Sequence, residues 1–267
     1  MLKKKRNNTG LTIILGIIVI FIGLIAFAYF YVFPLVIQGV ASVIPRSMEQ
    51  EMGQALKKNL VEESTIDRAK TIKINKFYSQ LKTGSDYQFN ITVVNSDVTN
   101  AFALPGGEIV VYSSLLNKIQ TPHELAALLG HESGHIEKRH TLRLILKSLS
   151  NYLIISAIFG DVSGIMAVII ENASMIETLS YNRSVEEESD NYGFDIMIKN
   201  NLDPNGMISL FEHLKTEDPS TGKQPEFLMT HPKLENRIEE VQKRIRNTKY
   251  TVSPNDSLVF YFNQLKQ

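Results

Sequence analysis

Two histidines and a glutamate in the middle of the chain have the spacing of a metal-binding helix. His131, Glu132 and His135 form the pattern His-Glu-x-x-His inside an apolar stretch that predicts a helix. At about 100° per residue the two imidazoles lie about 40° apart, so both can reach one ion. The carboxylate then lies beside the coordination position left open to water. The pattern therefore predicts a zinc ion that activates water, with the Glu132 carboxylate directed at that water.

A catalytic zinc site needs a third protein ligand. Metzincins supply a histidine ten residues after the first, but Thr141 stands there, and His140 comes one residue too early. The other solution is a glutamate on a later helix, with an aspartate that orients a ligand histidine. Glu186 and Asp190, four residues apart on one predicted helix face, fit this solution. The chain has no cysteine, so His, Asp and Glu must hold any metal.

Other charged residues near this pair have simpler interpretations. Glu187 fits a solvated helix face, and the pattern leaves the role of Glu188 open. Arg183 either braces the surrounding carboxylates or lies at the surface. His123 and His213 fit ordinary histidines on helix surfaces.

A long apolar segment near the start of the chain predicts a membrane anchor. Residues 11–33 carry no charge, and as a helix they would extend about 34 Å, enough to cross a hydrocarbon core of about 30 Å. A cleavable signal peptide is the alternative, but the apolar run is longer than its h-region. Basic residues at 3–6 precede the segment. The positive-inside rule therefore predicts a cytoplasmic N-terminus and a catalytic domain on the periplasmic or cell-surface side of the cell membrane.

The charge balance gives no reason to expect a nucleic-acid partner. Lysine and arginine number 28, and aspartate and glutamate also number 28. Nucleic-acid-binding domains usually carry a clear basic excess or a basic face. The partners that we expect are protein or peptide substrates, and a lipid bilayer through residues 11–33.

The part of the chain after the anchor predicts an α+β fold that is mostly helical, with a small antiparallel sheet. Residues 87–93 alternate between apolar and polar, residues 109–112 form a second strand, and residues 105–107 are a Pro-Gly-Gly turn. If residues 109–112 are an edge strand, they can bind extended peptide by strand addition. Thr121 and Glu124 form a capping box that begins the helix with the two histidines.

Residues 152–170 form a further apolar stretch. It could be a second membrane span, or it could be a segment of the protein core. Asp161 at its centre would cost about 2.5–3.5 kcal/mol on an insertion scale. If this stretch crossed the membrane once, Glu186 would also lie on the opposite side of the membrane from His131 and His135. We therefore expect a buried core segment, or one that lies on the membrane surface.

Four blocks of sequence occur in an order that is typical of one protein family. The blocks are residues 100–107, 131–135, 183–190 and 230–232. In this order they resemble peptidase family M48, the membrane-linked gluzincin zinc metallopeptidases, and in particular the small extracytoplasmic members with a single anchor. The resemblance covers about residues 45–246. Asn182 and Ser189 stand where the family usually has serine and alanine, a departure that concerns packing and not catalysis.

The resemblance implies a role for each residue of the site. It assigns one Zn²⁺ per chain to three ligands, which are His131, His135 and Glu186. Glu132 is then the general base, Asp190 orients a ligand histidine, and His231 is a candidate stabiliser of the tetrahedral intermediate. Arg183 is the candidate brace of the surrounding carboxylates.

Together these observations predict a membrane-anchored zinc endopeptidase, and the family resemblance implies that its substrates are misfolded or membrane-associated proteins. The expected organisation is a basic cytoplasmic N-terminus (1–10), a transmembrane anchor (11–33), a gluzincin metallopeptidase domain (34–250) and a C-terminal tail (251–267). One alternative is a chaperone-like or assembly factor with the same fold and little or no turnover. A metal-dependent scaffold is the other.

Overall fold

The computed structural model describes residues 9–149, 163–215 and 225–267. The predicted fold class is confirmed: the described residues are mostly helical, with a small sheet and one long apolar helix near the N-terminus. The chain divides into two units, Met1–Ile44 and Pro45–Gln267. The strands are β1 (Asn90–Val94), β2 (Ala101–Ala103) and β3 (Glu108–Tyr112). The helices are α1 (Thr9–Phe27), α2 (Phe33–Val43), α3 (Arg46–Leu60), α4 (Arg68–Tyr78), α5 (Ser113–Lys118), α6 (Pro122–Glu137), α7 (His140–Ser148), α8 (Ser163–Glu171), α9 (Arg183–Lys199), α10 (Asn205–Lys215), α11 (Glu226–Thr230), α12 (Leu234–Asn247) and α13 (Asp256–Lys266).

The first unit contains one long apolar helical segment. α1, a π-helical turn at Ala28–Val32 and α2 follow one another directly. Thr12–Val43 is long and apolar enough to cross a membrane, so the helix continues beyond the predicted end of the anchor at residue 33. Pro34 has no N–H to donate to the carbonyl four residues earlier, and the wider π turn lies just before it.

The sheet of the second unit is mixed, which corrects two predictions. β3 lies between β1 and β2, parallel to β1 and antiparallel to β2. The sheet is therefore not wholly antiparallel. Residues 109–112 belong to the central strand, so the proposed strand addition at their edge is wrong. The Pro-Gly-Gly turn joins β2 to β3, and Gly106 and Gly107 have positive φ angles of 77° and 113°.

α6 crosses the core of the second unit and begins as predicted. The Thr121 hydroxyl accepts a hydrogen bond from the Glu124 N–H at 3.2 Å, and the Glu124 carboxylate accepts one from the Gln120 N–H at 2.9 Å. Every residue of α6 from Glu124 to Ile136 is buried. A helix that is buried on all sides can carry polar side chains only where partners await them inside the protein.

Glycines bring the backbones of α6 and α9 close together. A Cβ atom on Gly134 would lie 2.9 Å from Ser189 Cα, and one on Gly130 would lie 3.0 Å from Gly193 Cα. Real Cβ atoms do not approach backbone atoms so closely, so only glycine fits at Gly134 without a shift of the helices. The contact places the histidine pair of α6 opposite the acidic residues of α9.

Two predicted segments have specific outcomes. The apolar stretch 152–170 lies outside the described residues up to residue 162, and its remainder is in α8, where Ile169 is buried. Residues 251–267 contain α13, whose Leu258, Phe262 and Leu265 pack into the main hydrophobic core.

Candidate active site

The three predicted ligands converge inside the second unit. The Nε2 atoms of His131 and His135 are 3.0 Å apart. Glu186, on α9, places one carboxylate oxygen 3.7 Å from His131 Nε2 and the other 3.5 Å from His135 Nε2. All three side chains are at most 2% exposed. Two imidazoles and one carboxylate therefore direct lone pairs at the same point.

His231 lies in the same cluster. It follows α11, and its Nδ1 is 3.2 Å from His131 Nε2 and 3.0 Å from Glu186 Oε1. One donor atom from each of four residues lies within 4.8 Å of the others: His131, His135, Glu186 and His231. The second ring nitrogen of His231, Nε2, is 3.8 Å from Glu132 Oε1. His231 thus contacts both the predicted ligands and the predicted base.

Glu132 is fully buried, and neither carboxylate oxygen has a hydrogen-bond partner within the parts of the chain that the structure describes. An unsatisfied buried carboxylate is costly, and native proteins retain one where a ligand or an ordered water completes it. Burial raises the pKa of Glu132, against the lowering effect of His231 and His131. The unpaired base and the two-histidine, one-carboxylate donor set both fit a catalytic zinc ion with a water molecule.

Asp190 and Arg237 form an ion-pair network behind the donor atoms. Asp190 Oδ1 lies 2.8 Å from His131 Nδ1. Arg237 donates from Nη2 to Asp190 Oδ1 at 2.6 Å and from Nε to Asp190 Oδ2 at 2.7 Å. Its Nη1 is 2.6 Å from Glu186 Oε2. One buried guanidinium therefore connects a predicted ligand with the carboxylate that contacts another ligand.

The same network sets the charges of the site. Burial disfavours ionisation of Glu186 and Asp190, but Arg237 and the neighbouring histidines together outweigh it and hold the pKa of both carboxyls below the usual value. Burial lowers the pKa of His135 well below that of a free imidazole. The carboxylates are therefore ionised and His135 is neutral, the forms in which these side chains bind metal.

The profile of peptidase family M48 matches residues 69–245. The chain belongs to peptidase family M48. The match includes the residues of the cluster on α6, α9 and α12, together with His231.

Named relatives agree with the M48 assignment. The mitochondrial metalloendopeptidase OMA1 of Schizosaccharomyces pombe is 30% identical over 60% of this chain and 47% of its own length. A putative β-barrel assembly-enhancing protease of Vibrio cholerae is 31% identical over 59% of this chain and 35% of its own. The mitochondrial OMA1 of Bos taurus is 29% identical over 60% and 33%. The alignments thus span less than half the length of these relatives.

Arg237 is the site residue that sequence reasoning missed. The candidate brace in this M48 chain was Arg183, but its side chain is 56% exposed, and the ion pair that the described residues give it is with Glu240, at 4.0 Å. Arg237 occupies the buried face of α12 together with Leu234, Ile238 and Val241. An arginine inside an apolar i, i+3, i+4, i+7 stripe is unusual, and this is the signal that could have identified it.

The outer side of His135 also has a partner. His135 Nδ1 lies 3.1 Å from Nδ1 of His140, the first residue of α7. Burial lowers the pKa of His140 to about 4, so its ring is neutral at neutral pH. The hydroxyl of Ser189 and the carboxylate of Glu188 are each 3.1 Å from the His140 ring. Glu188, whose role the sequence left open, thus contacts His140, the histidine that lies one residue too early to be a metzincin ligand.

The remaining candidates lie away from the cluster. Glu187 is exposed, as expected for a solvated face. His213 Nδ1 lies 3.1 Å from Glu124, and His123 Nδ1 accepts a hydrogen bond from the Asp203 N–H. Asn182, the other departure from the M48 pattern, caps α9 by accepting a hydrogen bond from the Val185 N–H at 3.1 Å.

Proposed function

We propose that this M48 chain is a membrane-anchored, zinc-dependent endopeptidase. The observation that carries the proposal is the pair of buried, unpartnered carboxylate oxygens of Glu132, next to the converging donors of His131, His135 and Glu186. A base without a partner inside a protein suggests that its partner is a reactant. A purely structural glutamate would have a hydrogen-bonding neighbour.

The residues that would hold one zinc ion are His131, His135 and Glu186. Bound zinc supplies Lewis acidity, which lowers the pKa of water towards about 7 and polarises a carbonyl group. Arg237 neutralises part of the charge of Glu186 and Asp190, and Asp190 holds the His131 ring so that Nε2 faces the cluster.

Glu132 is the group that moves protons. Its carboxylate takes a proton from the attacking water and delivers it to the departing amine of the substrate. His231 Nε2, 3.8 Å from Glu132, is a donor that would stabilise charge developing on the carbonyl oxygen. Burial of the whole cluster keeps bulk water away and strengthens each of these interactions.

The substrates that we propose are misfolded or membrane-associated proteins. The relatives named as metalloendopeptidases and as a β-barrel assembly-enhancing protease support a protein substrate. Capture with a Glu132→Gln variant in its native membrane, followed by identification of the retained proteins, tests this class. Retention of folded soluble proteins alone would contradict it.

For the membrane anchor we propose a cytoplasmic N-terminus and an extracytoplasmic peptidase domain. The long apolar helix through Val43 and the basic residues at 3–6 support this orientation. A topology reporter fused after Gln267 should be active only on the extracytoplasmic side. Activity only in the cytoplasm would reverse the assignment.

The deciding experiment for catalysis is Glu132→Gln, measured in the 267-residue chain in detergent. We expect cleavage of casein or a quenched peptide to fall by about 10²–10⁴-fold, the contribution of a general base, with one zinc per chain retained. Glu137→Gln makes the same chemical change at the last residue of α6 and should leave cleavage unchanged. The chaperone-like and scaffold alternatives predict that Glu132→Gln leaves function intact.

A further inference from the structure

The position of His140 over His135 is determined by an unusual turn. α6 ends at Glu137 and α7 begins at His140, with Arg139 between them in the left-handed region at φ 54° and ψ 32°. A residue with a side chain adopts this conformation uncommonly. Arg139 Nε lies 3.0 Å from the buried carboxylate of Glu49, which fixes the turn. The turn directs the His140 ring back towards the zinc-binding helix.

The His140 ring then connects a ligand histidine with the protein surface. Its Nδ1 lies 3.1 Å from His135 Nδ1, and its Nε2 lies 3.1 Å from Glu188 Oε2. The His140 side chain is fully buried, whereas that of Glu188 is 52% exposed. Glu188 is therefore a carboxylate in contact with water, and it can only accept hydrogen bonds.

The carboxylate determines which nitrogen of His140 carries the proton. A neutral imidazole has one N–H and one lone pair, and Glu188 needs the N–H at Nε2. The lone pair is then at Nδ1, which faces His135 Nδ1 and the Ser189 hydroxyl, both of which can donate. His135 consequently carries its proton at Nδ1 and has its lone pair at Nε2, the atom that faces the donor cluster. The opposite arrangement would point an N–H at the metal site.

We propose that His140, held by Glu188, is a positioning residue that fixes the tautomer and ring orientation of His135 as a metal ligand. This inference rests on the proposed zinc site and deepens it. For His131 the corresponding partner is Asp190, whose carboxylate contacts the ring directly. For His135 the partner is the neutral imidazole of His140, and the carboxylate of Glu188 contacts His140 and not His135. Loss of a residue of this kind typically weakens metal binding by about 10–100-fold.

The test is zinc affinity, measured by competition with a chromophoric chelator, for the 267-residue chain and four variants in detergent. His140→Ala removes the acceptor and should weaken zinc binding by about 10–100-fold. His140→Asn places a carbonyl oxygen near the position of Nδ1 and should recover most of the affinity. Glu188→Ala should lose less than His140→Ala, and Glu187→Ala, the adjacent exposed glutamate, should match the parent chain.

A spectroscopic measurement separates positioning from general packing. The cobalt-substituted parent should show two solvent-exchangeable, hyperfine-shifted N–H protons, one from each ligand histidine at Nδ1. In His140→Ala the signal of His135 should broaden or vanish by fast exchange, while that of His131 remains. A loss of packing alone would affect both signals or neither.

The zinc affinities of these variants can contradict the inference in two ways. Equal zinc affinity of His140→Ala and the parent, or His140→Asn no better than His140→Ala, would overturn the inference. If His140→Ala does not fold, as judged by circular dichroism, the Glu188→Ala and Glu187→Ala pair decides: equal affinities contradict the proposal. Failure of the parent chain to bind zinc would instead refute the proposed function itself, so the two failures are distinguishable.

Discussion

His131 and His135 direct the same ring nitrogen at the same cluster, but different partners stand behind them. Behind His131 are Asp190 and Arg237, two charged groups whose side chains are at most 7% exposed. Behind His135 is the neutral ring of His140, and the carboxylate that this ring contacts, Glu188, is half exposed to water. One side of the site is a buried ionic network, and the other is a neutral relay that ends at the surface.

The difference indicates how much each side can tolerate. Buried charges interact strongly, and removal of one partner leaves the other without compensation in a medium of low dielectric. An exposed charge is screened by water and salt, so its loss is mild. We therefore expect the Asp190 side to be essential to folding and zinc binding, and the Glu188 side to adjust zinc binding within a narrower range.

The largest effect is expected for Arg237→Leu, which leaves the carboxylates of Glu186 and Asp190 buried without the guanidinium that neutralises them. The free energy of unfolding of the zinc-free chain should fall by about 3–5 kcal/mol, the usual cost of breaking a buried ion pair. Denaturant unfolding in detergent measures it. Arg183→Leu is the matched control at an exposed arginine and should change stability by less than about 0.5 kcal/mol. Equal losses would mean that the buried network is no stronger than a surface pair.

A smaller effect is expected when each carboxylate is converted to an amide. Asp190→Asn should weaken zinc binding by about 10–100-fold, because the charge that faces His131 and Arg237 is lost inside the protein. Glu188→Gln should cost less than about tenfold, since water already screens that charge. Chelator competition gives both constants. A larger loss for Glu188→Gln would reverse the ranking of the two sides.

Salt should have the smallest effect and should act on one side only. Raising the salt concentration from about 0.05 M to 0.5 M shortens the screening length from well above 10 Å to below it. The affinity ratio between the parent and Glu188→Gln should then move towards one. The ratio between the parent and Asp190→Asn should stay constant, because salt does not reach that carboxylate. A parallel response would show that both paths contact solvent.

The spacing of residues within single helices was enough to predict much of the candidate site. His131, Glu132 and His135 share one helix, and Glu186 and Asp190 share another, so their relative positions follow from helix geometry. The family resemblance added the order of the blocks and the candidate role of His231. That these elements meet depends on tertiary packing, which spacing alone does not encode.

Spacing within one segment could not predict the contacts between segments that are distant in the sequence. The place of His140 depends on a left-handed turn at Arg139, and nothing in the local sequence distinguishes that turn from a break in one long helix. The central position of β3 depends on the three-residue strand β2, which lies just before the Pro-Gly-Gly turn and was not predicted as a strand. Strand order is a property of chain crossovers and not of alternation in any one strand.

The close approach of α6 and α9 has a consequence for which ion the chain accepts. In the proposed zinc site two ligands belong to α6 and the third to α9, so the distance between the helices at Gly134 and Ser189 sets how far apart the ligands lie. A methyl group at Gly134 would widen it by tenths of an ångström, whereas metal–ligand distances vary by only about 0.2 Å. We therefore expect a Gly134→Ala substitution to change which divalent ion the proposed site prefers.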